Sequence, residues 1–178
     1  MAHKVFVSYH HNNDQYYREH FERLFSTYTG VSISKSVQIG EIKPYLLPDT
    51  VRQKIRNEYL RDSTVTVVLI GTETWQRKHV DWEISSSIRQ TMHSSRSGLM
   101  GLILPTHPSF GTNTYHTETT PPRFVKNQMC GYADIYDWSM NASSVARWIE
   151  IAYQTRSTVK PDNSYPHFVS NKSGSGWM

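Results

Sequence analysis

Apolar residues recur with two periods along the chain, and the alternation of those periods predicts the fold. His3 to Tyr9 (HKVFVSY) is a β-branched and aromatic run and predicts a first strand. Tyr17, Phe21, Leu24 and Tyr28 then recur at helical spacing, with Asn12 and Asn13 as caps and Gly30 as the stop. Val31 to Val37 alternates and predicts a second strand, followed by a loop from Gly40 to Pro48. Val51, Ile55 and Tyr59 mark a helix over about Asp49 to Arg61. Thr64 to Ile70 (TVTVVLI) is almost entirely apolar or β-branched, as in a strand covered on both faces. After a loop from Gly71 to Arg77, Val80, Ile84, Ile88 and Met92 form the buried stripe of a helix over His79 to His93. Leu99 to Leu104 predicts another buried strand and Tyr132 to Tyr136 the last one. A closing helix follows Asn141, with Ala142, Val145, Ala146, Ile149, Ala152 and Tyr153 on one face.

Strands alternating with helices predict a doubly wound α/β domain with a largely parallel sheet. That domain is expected over residues 1–156, with a polar tail over 157–178 that reads as extended or mobile. Pro105 to Gln128, rich in Thr, Pro and His, reads as a long loop, which is usually functional or disordered. The length of 178 residues allows one sizeable core. The net charge of +4 is spread along the chain without a basic cluster. Nucleic-acid binding is therefore not expected, while a small anionic ligand fits the weak positive bias. Cys130 is the only cysteine, which excludes an intrachain disulfide. Between Met129 and Gly131 it reads as a buried thiol at the start of a strand. MAHKVFVSY lacks a signal-peptide layout and no apolar run reaches membrane length, so no membrane role and a cytoplasmic location are expected.

Ligands of open α/β sheets bind beyond the carboxyl ends of the strands. That rule selects Ser8, Tyr9, His10, His11, Asn12, Asn13 and Asp14 after the first strand, and Gln38, Ile39 and Gly40 after the second. It selects Gly71, Thr72, Glu73, Thr74 and Trp75, and then Glu83, after the third, and the loop from Pro105 after the fourth. No GxGxxG, P-loop, HExxH or GxSxG pattern is present. His79 and Glu83, at i and i+4, are spaced for a helix-face contact, and no metal is expected. On a helical wheel Glu83 lies about 60° from Val80, at the border of the apolar stripe. Geometry alone leaves two readings open there, a solvated glutamate and an acid at the lip of a cleft. Phe6 reads as core before site, Asp14 as a helix N-terminal charge, Gly40 as a turn residue, and Trp75 as either cleft wall or surface plug.

KVFVSYHHNND, TVTVVLIG and HVDWEI, in that order and spacing, resemble TIR-like domains. The resemblance is closest to the bacterial anti-phage group, the TIR subunits of Thoeris, and covers residues 3–155. It implies a flavodoxin-like three-layer sandwich, with a mostly parallel five-stranded sheet and helices on both faces. It further implies cleavage of the nicotinamide–ribose bond of NAD, with Glu83 at the position of the family's essential glutamate. NAD would be substrate and no cofactor would be needed. The product would be cyclised to a cyclic ADP-ribose isomer that activates a separate NAD-consuming effector, and self-association would accompany activation. Phe6, Ser8, Tyr9, Asn13, Gly40, Gly71, Trp75 and His79 are the substrate-binding positions it implies. One departure is plain: many catalytic relatives carry Trp four residues before the glutamate, where this chain has His79. Stacking is then expected from Trp75, Phe6 or Tyr9. TIR domains also serve as non-catalytic interaction modules, which is the alternative expectation.

The chemistry asks for little more than one carboxylate. Loss of nicotinamide leaves an oxocarbenium-like ribose, as in glycoside cleavage. A nearby carboxylate stabilises that charge, and a closed site lets an internal nucleophile react before water.

Overall fold

In the first strand, odd and even positions go to different layers, and this sets out the whole molecule. The computed structural model describes residues 2–34 and 46–178. Strand β1 (His3–Ser8) pairs in parallel with β2 (Val31–Ile33) on one side and with β3 (Val65–Ile70) on the other. Strands β4 (Gly98–Ile103) and β5 (Ala133–Asp137) complete a five-stranded parallel sheet of order β2-β1-β3-β4-β5. This is the flavodoxin-like order, whose direction of winding reverses between β1 and β3.

Val5, Val7, Val65, Val67, Leu69, Met100 and Leu102 pack under helices α1 (His11–Phe25) and α5 (Ala142–Thr158), against Phe21, Phe25, Val145 and Ile149. The alternate residues face the other layer. There Val68, Ile70, Leu99 and Ile103 meet Val80, Ile84 and Ile88 of α3 (Lys78–Ser87) and Phe124 of α4 (Pro122–Met129). Phe6 packs with Val51 of α2 (Pro48–Lys54), with Ile55 and Leu60 of its π-wound continuation (Ile55–Leu60), and with Trp82. β3 and β4 are buried at every residue, as expected of strands covered on both faces. Each fully buried Val, Leu or Ile contributes roughly 1.5–3 kcal/mol. Gly101 lets α4 approach, since a Cβ there would lie 2.7 Å from the Phe124 ring.

Several elements differ from the sequence expectation. The cap of α1 is His10, whose Nδ1 accepts the Asn13 N–H at 3.2 Å, not Asn12 or Asn13. Helix α3 stops at Ser87, so Met92 is 95% exposed and outside the apolar stripe. The segment 105–128 is not one long loop, because its end forms the first turns of α4, started by Pro122. Cys130 caps the end of α4 and is exposed, not buried in a strand. The expected extension of β2 to Val37 and the turn at Gly40 lie outside the described residues.

The largest difference is the tail. The chain beyond α5 is neither extended nor loose, and it runs back across α3 and α4. Phe168 is 5% exposed, its N–H donates to Asp81 at 3.0 Å, and its carbonyl accepts Trp82 Nε1 at 2.9 Å. Arg123 of α4 pairs with Asp81 at 2.9 Å and donates to Asn163 Oδ1 at 2.8 Å. Trp177 Nε1 donates to the carbonyls of Thr117 and Thr120. The segment is polar in composition but is anchored by two aromatic residues and one buried ion pair. Among the described residues no helix is long and apolar enough to cross a membrane.

Candidate active site

The winding reverses between β1 and β3, which opens a crevice beyond their carboxyl ends. Ser8 ends β1 on the same face as Phe6, toward α3. Val80 and Ile84 hold α3 against the sheet, and Glu83 shares their side of the helix. The two side chains therefore meet, with the Ser8 hydroxyl donating to Glu83 Oε2 at 2.5 Å. Glu83 is 1% exposed and Ser8 0% exposed. Of the two readings of Glu83, the solvated one is excluded. No described cation pairs with this carboxyl. Burial pushes its pKa up to about 8, against the opposing effect of the Ser8 bond.

A second buried carboxyl stands nearby. Asp14, in the first turn of α1, is 2% exposed and lies against the Gly71 backbone. A Cβ on Gly71 would come 2.6 Å from Asp14 Oδ2, so only glycine admits this approach. The Gly71 N–H donates to Thr74 Oγ1 at 2.9 Å, and that hydroxyl lies 3.4 Å from Asp14 Oδ2. Burial raises Asp14 to about 6, the Thr74 bond opposes this, and the charge of Glu73 adds to it.

Histidines form the rest of the wall. His79 Nε2 donates to the Tyr9 carbonyl at 3.0 Å, which fixes the ring. The His79 and His11 centroids are 4.5 Å apart, and those of His11 and Tyr9 are 4.7 Å apart. Burial lowers His79 to about 3 and His11 to about 4, with further lowering from neighbouring positive groups. Both rings are therefore neutral near pH 7. The stack offers an aromatic surface without adding a positive charge beside Glu83.

The sequence-derived positions separate into four groups. Ser8, Tyr9, Gly71 and His79 converge with Glu83 around the switch point. Asn13 is exposed, and its amide donates to Glu73 at 2.9 Å, at the outer edge. Phe6 and Trp75 are 0% and 2% exposed, so neither presents a ring face for stacking as expected. Gly40 lies outside the described residues. His11 was not foreseen as a partner of His79, because their contact joins positions 68 residues apart and leaves no local pattern.

A family model described as "Thoeris protein ThsB, TIR-like domain" matches residues 6–109. That span runs from β1 through the end of β4 and contains Ser8, Asp14, His79 and Glu83. No curated protein matches the chain. Among solved structures, the chain is similar to the TIR domains of the activated Roq1 resistosome that directly recognizes the pathogen effector XopQ. The identity there is 12%, over 88% of this chain and 84% of that one, with a TM-score of 0.38.

Proposed function

The chain belongs to the ThsB TIR-like domain family of Thoeris, and on that premise we propose that it is a TIR-domain defence enzyme that cleaves the nicotinamide–ribose bond of NAD. Glu83 is the catalytic carboxylate in this reading. The observation that supports it most is a carboxyl 1% exposed, with no paired cation among the described residues, at the switch point of the sheet. An acid that is costly to ionise when alone is suited to a site that waits for a positive charge.

NAD brings that charge in its pyridinium ring. A cation near Glu83 favours the carboxylate, and the proton passes to solvent. The C–N bond then breaks, and nicotinamide leaves with the electron pair. The positive charge moves to the ribose, where the same carboxylate stabilises it. Attack by a hydroxyl or ring nitrogen of the same molecule, with loss of a proton where one is carried, gives a cyclic ADP-ribose isomer. Attack by water gives ADP-ribose. The neutral His11–His79 pair takes the stacking role that a Trp has in many relatives. The cyclic product would signal to a separate effector, and self-association would accompany activation.

The test uses the purified full chain with NAD, in lysate from infected cells to supply a trigger, read by mass spectrometry. Glu83→Gln is expected to keep the fold and to lose nicotinamide release by about 10²–10³-fold, the order seen when one transition-state partner is removed. Wild-type amounts of nicotinamide from that variant would remove Glu83 from the chemistry. The covered state of Glu83 favours one second reading, a non-catalytic interaction module. It predicts no nicotinamide release from the wild type under any trigger, with partner binding unchanged by Glu83→Gln.

A further inference from the structure

We propose that the groove between α2 and α3 is a second binding site, for a phosphate-bearing small molecule of nucleotide size. The groove has a volume of about 570 Å³ and is lined by Arg52, Arg56, Ser85, Ser86 and Arg89, with Asn163 and His167 of the tail closing one side. Ser85 and Ser86 turn away from the apolar stripe of α3, so this surface is separate from the crevice at Ser8 and Glu83.

Three guanidinium groups line the groove, against the single carboxylate of Asp49. Arg52 pairs with Asp49 and lies over the Trp82 ring, with its Cζ 5.8 Å from the centroid. Arg56 and Arg89 have no carboxylate partner among the described residues. Burial, and then the charge of Arg89, hold Arg56 below its ordinary pKa, although a guanidinium stays charged. Two like charges held at one groove, with no carboxylate paired to either among the described residues, are unfavourable, and a phosphate dianion relieves that repulsion. Guanidinium forks match phosphate oxygens in pairs. Arg56 also sits in the π-wound turn after α2, a rare geometry that is frequent at functional sites.

The floor suits the same ligand. Ser85 and Ser86 are 4% and 5% exposed. Ser85 Oγ is 2.8 Å from His167 Nε2, and Ser86 Oγ donates to the Arg52 carbonyl at 3.4 Å. Both hydroxyls can turn to an incoming phosphate. The volume falls in the range of about 300–1,000 Å³ that small-molecule sites occupy. A bound phosphate would join α2, α3 and the tail, because Asn163 Nδ2 donates to the Ser85 carbonyl at 3.1 Å on the same wall.

The experiment titrates the full chain with ADP, pyrophosphate, inorganic phosphate and a single-stranded oligonucleotide by calorimetry, using wild type, E83Q, R56Q/R89Q and R56K/R89K. Saturable one-to-one ADP binding is expected, unchanged in E83Q, at least tenfold weaker in R56Q/R89Q and intermediate in the lysine pair. If R56Q/R89Q does not fold, R89Q alone, altered at an exposed side chain, makes the same comparison. The proposal is overturned by any of four results: no saturable phosphate binding, equal ADP affinity in the glutamine variant, loss of ADP binding in E83Q, or tighter binding of the oligonucleotide than of ADP. The nicotinamide assay of E83Q is read separately, so failure of the catalytic reading and failure of this one are distinguishable.

Discussion

Asp81 and Glu83 stand two residues apart on α3, each 1% exposed, in opposite surroundings. Asp81 accepts Arg123 Nε at 2.9 Å, Arg123 Nη2 at 3.3 Å and the Phe168 N–H at 3.0 Å. Among the described residues Glu83 accepts one serine hydroxyl. A buried carboxylate is tolerable when a cation and hydrogen bonds replace lost water, and Asp81 has both. It ties α3 to α4 and to the tail. Glu83 has too little compensation among the described residues to stay ionised by itself, which is the property on which the proposed catalytic role rests. Burial alone does not separate a structural acid from a reactive one; the partner does.

The largest effect follows from breaking the well-compensated pair. Arg123→Met leaves Asp81 buried without its cation and removes the donor to Asn163 Oδ1, so urea denaturation should show a loss of about 3–5 kcal/mol. Hydrogen exchange should show Phe168 losing protection together with it. A loss under about 1 kcal/mol would mean that Asp81 is not held by Arg123 as described, and the contrast between the two acids would fail.

Removing the poorly compensated acid should do the reverse. The folded pKa of Glu83, about 8, lies above the ordinary 4.5. Between these values the folded state binds more protons than the unfolded one, so this group's contribution to stability is intact below about pH 4.5. It declines as pH rises toward and through 8. Glu83→Gln has no such decline. It should therefore gain stability over wild type from pH 5 to pH 8, on the order of 2–4 kcal/mol at the upper end, from about 1.4 kcal/mol per pKa unit. Asp14, raised to about 6 for the same reason, adds a slope of the same sign below pH 6 in both proteins. Thermal melts across that range read the difference, and a gap that does not change with pH would place the Glu83 carboxyl in contact with water.

Much of this was legible in residue order. Val65–Ile70 and Gly98–Ile103 are apolar throughout, and Val80, Ile84 and Ile88 keep a helical period, so the sheet and the place of α3 followed from pattern. Glu83 at the stripe's border followed too, but its burial did not, because that depends on Ser8 from a strand 75 residues earlier. The tail was misread for a related reason. Its composition is polar, and the Asp81–Arg123 pair and the Phe168 anchor that hold it are contacts of 42 and 87 residues' separation. Helix α4 was missed because it is short and begins at a proline after a polar stretch. Local periodicity reports which face is apolar; it does not report which distant polar group will meet a polar one.

A smaller effect concerns the bond between Glu83 and Ser8. The Ser8 hydroxyl favours the charged form, and if Glu83 acts as the ionised carboxylate proposed above, kcat/KM for nicotinamide release should rise with pH with a midpoint near 8. Ser8→Ala removes that donor and should move the midpoint upward by about one unit, with a roughly tenfold loss of kcat/KM at pH 7. If the profile of Ser8→Ala overlays that of wild type, the Ser8–Glu83 bond has no part in setting the reactive form.

The smallest effect tests whether the two acids share one platform. The N-cap of helix α3 is Arg77, which makes no side-chain cap, and the Lys78 N–H instead donates to Asn171 Oδ1 of the tail at 3.0 Å. A distant residue thus does the work usually done by a local Ser or Asp. Asn171→Ala should cost about 0.5–1 kcal/mol in denaturation, since an exposed cap is partly replaced by water. It should also loosen the first turn, where His79 stacks on His11, while the Asp81–Arg123 pair one turn further on keeps its place. Hydrogen exchange resolved along α3 separates these outcomes. Faster exchange confined to residues 78–82 would mean that the tail sets the start of the helix bearing Glu83. Uniform exchange along α3 would mean that the ion pair fixes the whole helix and that Asn171 is only a surface contact.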